Sequence, residues 1–253
     1  MDKILAYFAI KYEGDWDKIY AAINKKEKVD SNEMEEVLKK NTSEYITLIS
    51  NDYPFRLKHI YKPPFVLFYK GNKELLNTSR KTIGVVGSRV SSEYGSFATR
   101  KIVCDLVKNN AVIVSGLAKG IDSVAHKSCL DSNGDTIAVI ANGIDEFYPV
   151  ENKQLQNDIF IKGIVISEYP SFMSSNKENF PKRNRIIAGL SDAILVGEAK
   201  YKSGSMITVS RALEMGKEIF CIPDIICNES GCNKLIKEGA KLVENGLDIL
   251  NEL

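Results

Sequence analysis

The feature that most constrains this 253-residue chain is a series of short segments with continuous apolar centres, separated by helix-like segments. Residues 81–87 read KTIGVVG, 111–116 AVIVSG, 136–141 TIAVIA, 163–168 GIVISE, 192–199 DAILVGEA and 217–223 KEIFCIP. A strand with one face in water alternates apolar and polar residues; these do not, so both faces must be covered. The intervening stretches, 92–109, about 120–131, the segment after Asn152, 184–190 and 205–215, carry helical periodicity. Apolar strands alternating with helices form a mostly parallel sheet with helices on both sides, an α/β, Rossmann-like fold.

The first 50 residues read differently. Ile4, Tyr7, Phe8 and Ile10 make an apolar helical face, and Trp16, Ile19, Tyr20 and Ile23 follow at helical spacing. A third run follows Ser31, read as an N-cap with Glu35 nearby. The expected organisation is a small all-helical module over 1–50 and the Rossmann-like domain over 51–253. Between them, 53–72 form a bridge in which Pro63-Pro64 blocks a helix and FVLFY supplies a short strand.

Composition narrows the class. There are 34 Lys+Arg against 33 Asp+Glu, a net charge of +1, and 44% of residues are hydrophobic. That excludes a disordered tail protein and a histone-like basic coat, but leaves room for a local basic groove. The five cysteines, at 104, 129, 221, 227 and 232, are odd in number, form no CxxC pair and stand far from His59 and His126. They read as free thiols in a reducing compartment rather than as a disulfide framework or zinc site. No signal peptide opens the chain, and no run approaches the roughly 18 apolar residues of a membrane span. A soluble cytoplasmic protein is expected.

In an open parallel sheet, ligands bind beyond the carboxyl ends of the strands, so the segments following each strand carry the chemistry. The first is followed by Gly87-Ser88-Arg89 and the second by Ser115-Gly116, with Lys119 three residues on. Phe180-Pro181-Lys182-Arg183-Asn184-Arg185 precedes one later helix and Lys202-Ser203-Gly204-Ser205 another. Glycine lets the backbone approach an anion, helix N-termini offer N–H donors, and arginine adds a bidentate fork. A single such turn is as well explained by structure; four on one sheet edge point to an anionic ligand. GxxxxGK[ST] is absent, the first loop is GVVGSR rather than GxGxxG, and no acidic residue is placed for a ribose. The ligand therefore need not be a dinucleotide, and no cofactor is expected.

Residues 171–183 are polar and loop-like. They bring Phe180 among Lys177, Lys182, Arg183 and Arg185. Cations interleaved with an aromatic ring are what a single strand needs, phosphates neutralised and bases stacked. The alternative, that Phe180-Pro181 plugs the sheet edge, stays open. Asp122 and His126, one helical turn apart, are read as a cap and a packed histidine rather than a catalytic pair, since no nucleophile motif accompanies them. Glu168 and Glu198 end strands and either act as acid and base or, the preferred reading, orient Arg183 or Arg185 by ion pairs. Leu235, Ile236, Leu242 and Val243 form either an interface or core.

Taken in order, GVVGSRVSSEYG, VIVSGLAKGIDSVAHKSCL, TIAVIANGIDEFYPVENKQL, ISEYPSF, NFPKRNRIIAGLSDAILVGEAKYKSGSMITVSRALEMGKEIFCIP and NKLIKEGAKLV resemble the DprA/Smf family of DNA-processing proteins of bacterial natural transformation. The resemblance covers about 45–245. It implies an extended Rossmann fold, binding of single-stranded DNA, a homodimer that loads the RecA recombinase, and no catalytic role. It also implies a phosphate pocket at Gly87, Ser88 and Arg89 with Ser115, Gly116 and Lys119 beside it. Lys177 and Phe180 would contact DNA, and Asn184, Arg185, Ser203, Gly204 and Ser205 match further motif positions. Two departures stand out. Ala141-Asn142-Gly143 replaces a more glycine-rich turn, and the sequence stops at Leu253, where many relatives continue into a winged helix, so none is expected. Two alternatives remain. One is a nucleoside-phosphate hydrolase of the lysine-decarboxylase-like group, although segment 203–208 lacks that group's proline-led opening and its glutamate three residues past the threonine. The other is a nucleotide-sensing module.

Overall fold

Thr82–Val86 is buried along its whole length, and its side chains divide between two cores. Ile83 and Val85 face one side with the helices Glu93–Lys108 (α4) and Ile121–Asp131 (α5). Val86 faces the other with Asn179–Leu190 (α7) and Gly204–Glu214 (α8). The same division repeats across the sheet, because successive residues of a strand point to opposite faces. The computed structural model describes residues 1–226 and 229–253, so Cys227 lies outside the described residues.

The remaining helices are α1 (Asp2–Lys11), α2 (Trp16–Asn24), α3 (Ser31–Lys39), α6 (Lys153–Lys162), α9 (Gly231–Lys237) and α10 (Leu247–Leu250). The strands are β1 (Glu44–Thr47), β2 (Val66–Gly71), β3 (Thr82–Val86), β4 (Val112–Ser115), β5 (Thr136–Ile140), β6 (Ile164–Ser167), β7 (Ala193–Val196), β8 (Ile219–Cys221) and β9 (Lys241–Leu242). They form one nine-stranded sheet in the order β1-β2-β6-β5-β4-β3-β7-β8-β9. From β6 to β9 all pairs are parallel; β2 joins β6, and β1 joins β2, antiparallel. The fold is therefore the expected extended Rossmann type.

The chain starts the parallel part of this sheet at β3, builds outward through β4, β5 and β6, then returns along α7 to place β7 on the other side of β3. The carboxyl ends of β3 and β7 are thus the point where strand order reverses, the ordinary ligand site of such sheets. Val86 is in register with Val196, which puts the two loops that follow side by side.

The N-terminal helices cover the same sheet face as α4 and α5, further along. Leu5, Tyr7, Phe8, Ala9 and Ile10 of α1 pack with Val66, Phe68, Ala138, Ile140 and Val165. Trp16 is held by its indole N–H, which donates to the Pro63 carbonyl at 2.8 Å, and by stacking on Phe65. Within 1–50 the helices end at Lys39, and Glu44–Thr47 is a strand of the sheet rather than more helix. The reason is the β-branched pair Ile46-Thr47, which finds an open sheet edge at β2. At the other end Leu235 and Val243 are buried and Ile236 packs against the core, while Leu242 is half exposed. No helix among the described residues is long and apolar enough to cross a membrane.

Candidate nucleic-acid interface

Three segments meet at the strand-order reversal. The loop after β3 leaves the sheet at Gly87. Its Ser88 N–H donates to the Glu198 carbonyl at 2.6 Å, its Ser88 carbonyl accepts from Ile121 N–H at 3.0 Å, and it ends at Ser92, whose hydroxyl caps α4 by accepting from Gly95 N–H at 2.9 Å. Gly120 has φ +73°, and a Cβ there would collide with the backbone of Ser88 and Arg89, so only glycine lets the two loops lie this close. The second segment is the first turn of α7, with Phe180 and Pro181; proline is tolerated there because first-turn N–H groups have no helical partner. The third is the start of α8, where the Ser203 and Ser205 hydroxyls bond at 2.7 Å and the Gly204 carbonyl accepts from Asn184 Nδ2 at 3.3 Å.

Together they enclose a cleft of about 570 Å³. Of the residues expected at the site, Gly87, Ser88, Arg89, Lys177, Phe180, Arg183, Asn184, Lys202, Ser203, Gly204 and Ser205 line it. The half-buried Phe180 ring is its centre. The Arg89 guanidinium lies 5.1 Å from the ring centre and that of Arg183 5.9 Å, and the Tyr148 ring packs at 5.5 Å. Gly116 and Lys119 border a smaller adjoining cavity of about 100 Å³ that shares Arg89 and Phe180 with the cleft. Lys119 is itself ion-paired with Glu151 at 2.5 Å.

Three expected residues are not brought to the cleft. Ser115 is fully buried, its hydroxyl donating to the Val85 carbonyl at 2.6 Å, so it ties β4 to β3. Arg185 is buried against Glu168 at 2.6 Å and donates to the Lys62 and Lys182 carbonyls. Lys182, one helical step from the cleft, faces a separate groove shared with Trp16 and Tyr61. Arg183 differs again: it lines the cleft floor, but its guanidinium donates to the carbonyls of Gly116 (2.7 Å) and Val139 and to Asn184 Oδ1 (3.1 Å). Burial draws it down to about 10, while the Asp122 carboxylate pulls the other way. It holds two strand ends together beneath the cleft.

The structure corrects two finer readings and agrees with a third. The segment expected as loop to residue 183 is helix from Asn179 onward, because Asn179 Nδ2 anchors on the Ala141 carbonyl and Pro181 suits a first turn. The preferred ion-pair role of the two glutamates holds for Glu168 with Arg185; Glu198 instead accepts from Ser92 N–H and Oγ–H at 2.9 and 2.8 Å. Asp122 and His126 do not form a pair. Asp122 accepts from Ala118 N–H at 3.3 Å, and burial raises its carboxyl; the His126 Nδ1 bonds the Thr136 hydroxyl at 2.7 Å.

Tyr148 and Lys200 are among the cleft residues that escaped the sequence reading. Both follow strands and were open to the same search, Tyr148 after β5 and Lys200 after β7. Arg89, Lys177, Arg183, Lys200 and Lys202 thus converge on a cleft whose acidic lining, among the described residues, is Asp122. Among those residues no cluster of His, Cys, Asp or Glu is arranged to hold a metal ion.

These features define a class first: an extended Rossmann-fold protein with a cationic, aromatic-centred cleft where the strand order reverses. The chain belongs to the family of DNA recombination-mediator protein A, whose sequence model matches residues 44–253. It is 48% identical over 208 residues to the DNA processing protein DprA of Streptococcus pneumoniae, covering 81% of this chain and 73% of that protein. The X-ray structure of DprA from Streptococcus pneumoniae superposes with a TM-score of 0.84 at 39% identity, over 99% of this chain and 93% of the other. DNA processing protein A from Helicobacter pylori, whose structure concerns its single-stranded DNA binding mode, matches with a TM-score of 0.75 at 31% identity, over 84% and 97% of the two chains.

Proposed function

We propose that this protein binds single-stranded DNA in the cleft and, as a cytoplasmic homodimer, protects incoming strands and loads RecA recombinase onto them during natural transformation and recombination, acting as a binding protein and not as an enzyme. The observation that carries the reading is Phe180, with Arg89 at 5.1 Å on its ring and Lys177, Lys200 and Lys202 lining the same cleft. An aromatic platform takes a base of any identity, and the cations around it take the flanking phosphates. The helix N-termini of α7 and α8 add N–H donors on the same side. The relation to a Helicobacter pylori protein that binds single strands supports the ligand, and the recombination-mediator family supports the pathway.

The cation set proposed to hold phosphates is Arg89, Lys177 and Lys202, with Gly87, Ser88 and Ser203–Ser205 supplying backbone approach and hydroxyls. The hydrolase alternative gains nothing here: three residues beyond Thr208 stands Arg211, ion-paired with Glu214 at 2.8 Å, where that chemistry requires a carboxylate. Titration of labelled oligonucleotides against wild type, Arg89→Ala and Phe180→Ala tests the proposal. Loss of stacking costs about 1–3 kcal/mol per base, and loss of one phosphate cation flattens the single-strand salt slope by about 0.7. Wild-type affinity in both variants refutes the site. Light scattering in the same buffer reads the dimer, and RecA assembly on coated strands, with and without the protein, reads the loading step.

A further inference from the structure

The loop that carries Arg89 is gripped at both ends by one residue. At its start Ser88 N–H donates to the Glu198 backbone carbonyl at 2.6 Å. At its end the Ser92 N–H and hydroxyl both donate to Glu198 Oε2, at 2.9 and 2.8 Å. Between these points Arg89 reaches over Phe180. The first turn of α4 makes room for the grip: Gly95 is buried, and a Cβ there would overlap the Glu198 carboxylate. A glycine inside a helix is unfavourable relative to alanine, so its presence here answers to this contact.

We infer that Glu198 is the positioning residue of the strand-binding cleft: its carboxylate holds loop 88–92 so that Arg89 stands over Phe180, and an acidic side chain beside the cleft thereby strengthens the binding of an anionic strand. The inference rests on the single-strand reading above. Two opposed effects meet at Glu198. Its charge repels phosphates, but the site is partly open to water and salt, where such repulsion is weak. Its grip fixes a charge-assisted phosphate contact, among the strongest hydrogen bonds a protein makes. The second effect dominates, so the sign is opposite to that expected from charge alone.

The test is a fluorescence-anisotropy titration of labelled oligothymidylate at two salt concentrations. It compares wild type, Arg89→Ala, Glu198→Ala, Glu198→Gln, Gly95→Ala and the Arg89→Ala/Glu198→Ala double variant, with a thermal melt of each. Glu198→Ala should weaken binding about tenfold, as for a lost charge-assisted contact, and flatten the salt slope by about 0.7. Glu198→Gln, which keeps an acceptor for Ser92, should restore most of that affinity. Gly95→Ala keeps the charge but displaces the carboxylate, and should reproduce Glu198→Ala; it decides the matter if Glu198→Ala does not fold. The double variant should bind no more weakly than Arg89→Ala. Tighter binding by both Glu198 variants overturns the inference, as does an undiminished Glu198→Ala effect in the Arg89→Ala background. Loss of binding in Arg89→Ala with none in Glu198→Ala or Gly95→Ala overturns the positioning role alone; no loss in Arg89→Ala removes the strand-binding reading beneath it.

Discussion

Lys177 and Arg183 line the same cleft, yet substitution should separate them. Lys177 is exposed, whereas Arg183 is 4% exposed and its guanidinium bonds two backbone carbonyls and Asn184. Lys177→Ala is expected to leave stability within about 0.5 kcal/mol of wild type and to weaken strand binding. Arg183→Ala leaves buried acceptors without a donor and should cost about 3 kcal/mol of folding stability. Urea unfolding of both variants beside their oligonucleotide affinities checks this; equal stabilities would mean Arg183 is a surface cation after all. His126 gives a pH prediction at the same scale. Burial lowers its imidazole from 6.5 to about 3. The unfolded chain therefore binds the extra proton between those values. The stability it contributes is fully present above about 6.5 and is lost as pH falls towards 3. His126→Asn should reduce the slope of stability against pH in that window by up to about 1.4 kcal/mol per unit; an unchanged slope would show that the ring is solvated.

At the scale of the element, α7 matters most, because it both delivers Phe180 and crosses to the far side of the sheet. Its carboxyl end is closed by a residue far along the chain: Lys217 donates to the carbonyls of Ala188 (2.5 Å), Gly189 (2.9 Å) and Ser191. A cation at this end also suits the helix dipole. Burial draws the ammonium down to about 8, with Asp192 opposing. Lys217→Met keeps the length and removes the donor, and should destabilise the protein by about 2 kcal/mol, read by chemical denaturation; no change would mean that water replaces the lysine. The sequence placed the body of this helix correctly but began it late. A run of Asn, Lys, Glu and Pro looks like loop by composition. Only the anchoring of Asn179 on the turn after β5 shows that the helix already starts there.

For the whole molecule, the packing of the first helices carries a prediction. Leu5, Tyr7, Phe8, Ile10 and Ile19 are buried on the sheet face formed by Val66, Phe68 and Val165. Each fully buried large apolar side chain contributes about 1.5–3 kcal/mol. Removing residues 1–40 uncovers that face, so the shortened protein should melt well below the full chain or fail to stay soluble. An unchanged melting temperature would show that the helices are a dispensable cover.

The net charge of +1 illustrates how far a sum can be trusted at this scale. Lys119, Lys182 and Arg185 were counted with the groove from sequence, but two are spent on Glu151 and Glu168 and one faces elsewhere. Lys200, left out of that count, stands in the cleft. The apolar runs alone determined the parallel part of the sheet, its strands to within one to three residues, and the edge at which such sheets ordinarily bind ligands. These follow from local periodicity and a topological rule that hold wherever the chain runs. Which cations reach the cleft was decided only by the tertiary structure. A side chain's direction and partners depend on residues distant in sequence, as when Glu168 takes up Arg185 and Glu198 closes the loop around Arg89.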